Sequence, residues 1–189
     1  MRIRTFIAIE LDEAIRGSAG RLTEELADDV PGVTWVRPEN MHLTLKFLGD
    51  IDSPEVARVC DETTAAAGGV APFEIALEGV GCFPPGGMPR VFWIGVTGQI
   101  ESLAALHDDL DERLGAMGAG RERQRFVPHL TIGRVRRRSD PRRVRERLDG
   151  LAGWSGGSQW VEELVVFSSE LTRTGPLYTP MGRSPLAKR

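Results

Sequence analysis

Lysine is almost missing from this 189-residue chain. Two lysines stand against 22 arginines, so arginine is the default cation and an arginine-rich stretch is not by itself a nucleic-acid signature. Cysteine is as scarce. Cys60 and Cys82 show no metal-ligand or redox spacing and two thiols cannot build a disulfide framework, so a reducing, cytoplasmic compartment fits best. No apolar run reaches the length that spans a bilayer. The opening stretch, basic then apolar, is broken by Glu10, Asp12 and Glu13 before a secretory core can form. The remaining composition, 41% apolar and 27% charged, is that of a globular protein able to bury a sizeable core, as one domain of two lobes or as two small domains.

Histidine is scarce too, which gives weight to where its three copies fall. His42-Leu43-Thr44-Leu45 returns 87 residues later as His129-Leu130-Thr131-Ile132. An apolar-Thr-apolar sequence after a given His is a roughly 1% event at ordinary composition, and here it occurs twice. In an extended strand side chains alternate faces, so each His shares a face with the Thr two residues on, while the aliphatic residues point the other way.

The same offset recurs along the chain. Ile3–Glu10 and Arg90–Thr97 read as opening strands, with Phe6 matched to Trp93. Leu11–Asp29, with apolar Leu11, Ile15, Leu22 and Leu26, reads as an amphipathic helix. So does Ile100–Met117, with Leu103, Leu106, Leu110 and Leu114 and a stop at Gly118 and Gly120. Ser53-Pro54 and Asp140-Pro141 supply N-cap and first-turn residues for a second helix in each half. Phe73–Leu77 and Trp160–Val166 give each half a third strand. The expected fold is therefore α+β: residues 1–189 as a single bilobal domain with a pseudo-twofold internal repeat, approximately 1–87 and 88–189. Two antiparallel sheets, flanked by helices, would face a central cleft. Gly81–Pro89 is the candidate hinge between halves, or a plain surface loop.

If the halves face each other, His42 and His129 reach one cleft from opposite walls. Near neutral pH one imidazole can be neutral and the other protonated, as displacement with a base and an acid requires. Phosphoryl transfer suits the arrangement because attacking and leaving oxygens lie in line on opposite sides of phosphorus. Thr44 and Thr131 can donate to the non-bridging oxygens, and Arg134 can add a charge-assisted donor. Arg134 has the wrong parity for a regular strand, since His129, Thr131 and Gly133 share the other face; a bulge permitted by Gly133 would redirect it. One ligand per motif argues against zinc. His107 is expected to be a solvated helix residue, Phe47 and Trp93 to be core, and Trp35 a loop anchor or cleft wall. Arg121 to Arg147 carries eleven arginines against three acidic residues, +8 in a chain of net charge -3. It reads either as a polyanion footprint or as solvated helix and loop.

These motifs resemble those of the 2H phosphoesterase superfamily, and specifically its bacterial and archaeal branch of RNA 2',3'-cyclic phosphodiesterases, once called 2'-5' RNA ligases. The likeness runs through Arg4–Ile9, Trp35–Gly49, Pro128–Arg134 and Gly175–Pro180. It implies an enzyme that needs no cofactor, metal or ATP and opens an RNA-terminal 2',3'-cyclic phosphate to a 2'-phosphomonoester, with a reverse ability to join 2'-5' linkages. By that resemblance His42 protonates the departing 3' oxygen, His129 activates water, and Thr44, Thr131 and Arg134 grip the phosphate; the two histidine roles can be exchanged. The implied partner is RNA with a cyclic phosphate end or a small cyclic-phosphate nucleotide. No membrane is involved and a monomer suffices, because the internal repeat already supplies both walls. Two alternatives stay open: the same site acting on other nucleotide phosphates, and an RNA-end-binding or ligase-like processing factor.

Overall fold

A computed structural model describes residues 1–118, 125–136 and 141–188. In chain order the elements are β1 Arg2–Glu10, α1 Glu13–Asp29, β2 Val33–Trp35, β3 His42–Asp52, α2 Glu55–Ala67, β4 Phe73–Phe83 and β5 Val91–Gly98. They continue with α3 Ile100–Ala116, β6 His129–Val135, α4 Pro141–Asp149, β7 Ser155–Val161, β8 Glu163–Thr172 and β9 Gly175–Pro185. The strands form two antiparallel sheets, of order β3-β1-β8-β9 and β2-β6-β5-β4-β7. Helices α2 and α3 pack on the four-stranded sheet, and α1 on the five-stranded one. The class is α+β, and no described helix is long and apolar enough to cross a membrane.

The helices follow their apolar stripes. Ile15, Leu22 and Leu26 of α1 are buried, as are Leu103, Leu106, Leu110 and Leu114 of α3. Each such side chain contributes about 1.5–3 kcal/mol by leaving water. The 87-residue spacing survives in these helices, which begin at Glu13 and Ile100.

The two sheets do not divide the chain at its midpoint. The expected third strand Trp160–Val166 breaks at Glu162: β7 ends at Val161 as an edge of the five-stranded sheet, and β8 begins at Glu163 beside β1 in the other. Likewise β4, from the first half, lies beside β5. Each half thus gives its last long strand to the sheet built on the other half's opening strand. Gly81–Pro89 is correspondingly no hinge between lobes. It joins β4 to β5, antiparallel neighbours with Phe83 opposite Val91, and is a hairpin connection within one sheet. Gly81 is required there by close approach, because the Trp93 ring occupies the space a Cβ would take.

Two smaller expectations also change. Ser53 makes no side-chain cap, since the cap position of α2 falls on Pro54; Asp140 lies outside the described residues. The Phe6–Trp93 match shifts by two residues: Ala8 lies opposite Thr44 as Trp93 lies opposite Thr131. A shift of two keeps the faces of a strand, so the sequence pattern does not reveal it.

Between the sheets, β3 and β6 run close together. Their aliphatic residues Leu43, Leu45, Leu130 and Ile132 are buried in the core, leaving the histidine faces toward the gap. Lys46 is the exception on β3: its side chain is 1% exposed and ion-paired with Asp111 of α3.

Candidate active site

Each histidine opens its strand and is held by the backbone two residues earlier. His42 Nδ1 lies 2.8 Å from the Asn40 carbonyl oxygen, and His129 Nδ1 lies 2.8 Å from that of Val127. A carbonyl can only accept, so Nδ1 of each ring carries the proton. Nε2 is then the nitrogen left free to gain or lose one, on both sides of the gap. Asn40 is itself fixed, its Nδ2 donating to the Pro176 carbonyl at 3.2 Å, which ties the first clamp to β9.

Rings brace both imidazoles. Phe6 stacks on His42 with centroids 4.7 Å apart, and Tyr178 meets both of these rings edge-on at 5.1 Å. Phe83 meets His129 edge-on at 5.1 Å and rests on Trp93 at 5.4 Å. Burial on this aromatic floor pushes the His42 pKa below its ordinary value of 6.5, opposed in part by the hydrogen bond to Asn40. Burial also raises the Tyr178 pKa, against the attraction of Arg134 and Arg4, so its hydroxyl stays protonated at neutral pH.

His42, Thr44, His129, Thr131 and Arg134 all line one cavity of about 640 Å³. Among the described residues no protein group engages either threonine hydroxyl, and no carboxylate pairs with Arg134. Arg134 reaches the cavity by a bulge. Thr131 lies opposite Trp93 and Gly133 opposite Phe92, leaving Ile132 as the extra residue that turns Arg134 onto the histidine face. Gly133 is needed at this point, since a Cβ would come within 2.8 Å of both Trp35 and Val33. Trp35 packs on Phe92, with centroids 5.4 Å apart.

Other expected positions change. Phe47 is 53% exposed and lines the cavity instead of the core, because β3 carries a matching bulge at Leu45. Trp93 is half-buried beneath Phe83. His107 is buried, not solvated: its ring stacks on Phe126 at 4.1 Å, and Nδ1 lies 3.0 Å from Asp108. Its place four residues after Leu103 and three before Leu110, within the leucine stripe, is the signal that points inward. The basic stretch divides. Arg147 pairs with Asp29 at 2.6 Å and Arg142 with Glu146 at 3.0 Å, whereas Arg125 and Arg134 line the cavity; Arg121, Arg123, Arg137 and Arg138 lie outside the described residues. The clamping carbonyls of Asn40 and Val127 have no side-chain signature. Tyr178 does have one, as the single tyrosine of the chain, placed in the closing motif.

Known proteins share the family and the fold of this chain. The family model described as 2'-5' RNA ligase superfamily matches residues 12–173. An RNA 2',3'-cyclic phosphodiesterase of Methanothermobacter thermautotrophicus is 38% identical over 181 residues, covering 96% of this chain and 97% of the relative. One of Thermotoga maritima is 36% identical, covering 93% and 91%. The crystal structure of a Thermus thermophilus protein superposes with a TM-score of 0.83 at 26% identity over all of both chains. That of E. coli LigT complexed with 3'-AMP gives 0.76 at 25%, again over all of both chains. Paired His-x-Thr strands, exchanged sheets and end-to-end likeness converge, and the chain belongs to the 2'-5' RNA ligase superfamily of 2H phosphoesterases.

Proposed function

We propose that this protein is a hydrolase that opens the 2',3'-cyclic phosphate at an RNA end to a 2'-phosphomonoester, with the whole chain acting as one bilobal unit. Neutral His129 takes a proton from water at Nε2 as the water oxygen bonds to phosphorus. The bond from phosphorus to the 3' oxygen breaks, and protonated His42 gives its Nε2 proton to that oxygen, leaving a 3' hydroxyl and a 2'-phosphate. The Thr44 and Thr131 hydroxyls donate to the non-bridging oxygens and Arg134 neutralises their charge. A phosphate anion between the rings favours the charged imidazole, which offsets the burial that lowers the His42 pKa.

The observation that carries the reading is the matched pair of Nδ1 clamps, which leaves two Nε2 atoms and two unengaged threonine hydroxyls around one cavity. A volume of about 640 Å³ exceeds the needs of a phosphate group alone and lies in the range of sites that hold a whole small ligand such as a nucleotide. Phe47 offers its exposed ring as a stacking face for the terminal base. The test is to incubate the protein in EDTA with an RNA ending in 2',3'-cyclic phosphate and identify the product. A new 2'-phosphate end supports the reading; a persistent cyclic end, or a 3'-phosphate, counts against it.

A further inference from the structure

The cavity holds more positive charge than one phosphate uses. Three arginines line it, Arg90, Arg125 and Arg134, with no aspartate or glutamate among the described lining residues, although acidic residues outnumber basic ones in the chain. Other arginines find carboxylates: Arg113 pairs with Asp109, Arg147 with Asp29 and Arg183 with Glu10. Among the described residues Arg90 and Arg125 have none. Like charges gathered in a cleft repel one another unless an anion lies between them. Both are anchored beside the catalytic strands. Arg90 precedes Val91, which lies opposite Arg134, and its carbonyl accepts the Val135 amide at 2.9 Å. Arg125 leads into Phe126, held by the His107 stack, and Val127, whose carbonyl clamps His129.

We infer that Arg90 and Arg125 form a second anion subsite that takes a phosphate on the 5' oxygen of the nucleoside whose cyclic phosphate is opened. This inference rests on the proposed function for the placement of that nucleoside. The phosphate can be the diester linking to the preceding nucleotide or a terminal 5'-monoester. The subsite makes the protein prefer ends that carry a phosphate at this point.

The experiment compares kcat/KM for adenosine 2',3'-cyclic phosphate, its 5'-phosphorylated form and the dinucleotide ApA ending in a cyclic phosphate. Each is tested with the unaltered protein, Arg90→Gln, Arg125→Gln and the double variant. The unaltered protein should favour the two 5'-phosphorylated substrates by about tenfold or more, the scale of charge-assisted hydrogen bonds, and the double variant should reduce that ratio toward one. Equal gains on both forms assign the subsite to phosphate in general, and a gain on the dinucleotide alone assigns it to the diester. A ratio near one in the unaltered protein, or a ratio the variants leave intact, overturns the inference.

Binding separates this outcome from failure of the proposed reaction. Calorimetric titration of adenosine 2',5'-bisphosphate against adenosine 2'-monophosphate needs no turnover. A preference for the bisphosphate that the double variant removes supports the subsite even if no cyclic phosphate is opened. Equal affinities in the unaltered protein reject it.

Discussion

Phe47 and Arg134 occupy the same position in the two halves of the chain. Each stands five residues after its histidine, each follows a bulge, at Leu45 and at Ile132, and each projects into the shared cavity. The residues just before them are buried on the opposite face, Lys46 in one strand and Gly133 in the other. One backbone device therefore presents an aromatic ring on one wall and a guanidinium on the other. This converts a symmetric frame into an asymmetric site, as a substrate with a base on one side and a charged phosphate on the other requires.

The two substitutions should accordingly fail in different ways. Phe47→Ala removes a stacking face worth about 1–3 kcal/mol, so KM for a cyclic-phosphate RNA should rise roughly 5- to 150-fold with kcat less affected. Arg134→Ala removes charge stabilisation that grows in the transition state, so kcat should fall about 100- to 1,000-fold. Steady-state kinetics on one oligonucleotide separates the patterns, and a Phe47→Ala variant with altered kcat alone would contradict the stacking role.

Either histidine should be indispensable alone. His42→Ala and His129→Ala are each expected to lower the rate about 100- to 10,000-fold, the scale of a lost general acid or base, while retaining the circular dichroism of the parent. Near-normal turnover in either variant would refute its role.

The lowered His42 pKa links stability to pH. Because the folded state protonates this ring at a lower pH than the unfolded chain does, its contribution is fully present above about pH 6.5. It is lost as pH falls through the folded value. Thermal denaturation between pH 7.5 and pH 5 should show a steeper fall in Tm for the unaltered protein than for His42→Gln, which has no group titrating at that position. Parallel slopes would show that the ring is not appreciably desolvated.

The buried Lys46–Asp111 pair joins β3 to α3 behind the site. Asp111→Ala takes a carboxylate away from a buried ammonium and should cost about 3–5 kcal/mol in chemical denaturation. Lys46→Met, which removes the buried charge itself, should cost clearly less. The reverse order would mean that the pair's charge is not what holds these elements together.

Much of this was legible because it is local. The leucine spacing of α1 and α3 records one face of a helix, and His-x-Thr records one face of a strand, whatever these elements later touch. His107 and Phe47 escaped for opposite reasons. The spacing of His107 within the stripe Leu103–Leu114 points inward while its polarity points outward, and the Phe126 ring decides between them; an aromatic residue in an apolar strand looks buried until a bulge turns it outward. The parity of Arg134 posed the same problem, and there Gly133 at least marked where the strand departs from regularity.

The amino-acid sequence by itself determined the repeated elements, the two histidines with their threonines, and the α+β class, because each is a matter of spacing along the chain. Tertiary structure alone decided that β4 and β8 exchange sheets, that bulges at Leu45 and Ile132 aim Phe47 and Arg134 into one cavity, and that backbone carbonyls fix both imidazoles. The physical reason is that pairing register and sheet partnership are set by strands far apart in the chain, whose mutual contacts leave no period in either one.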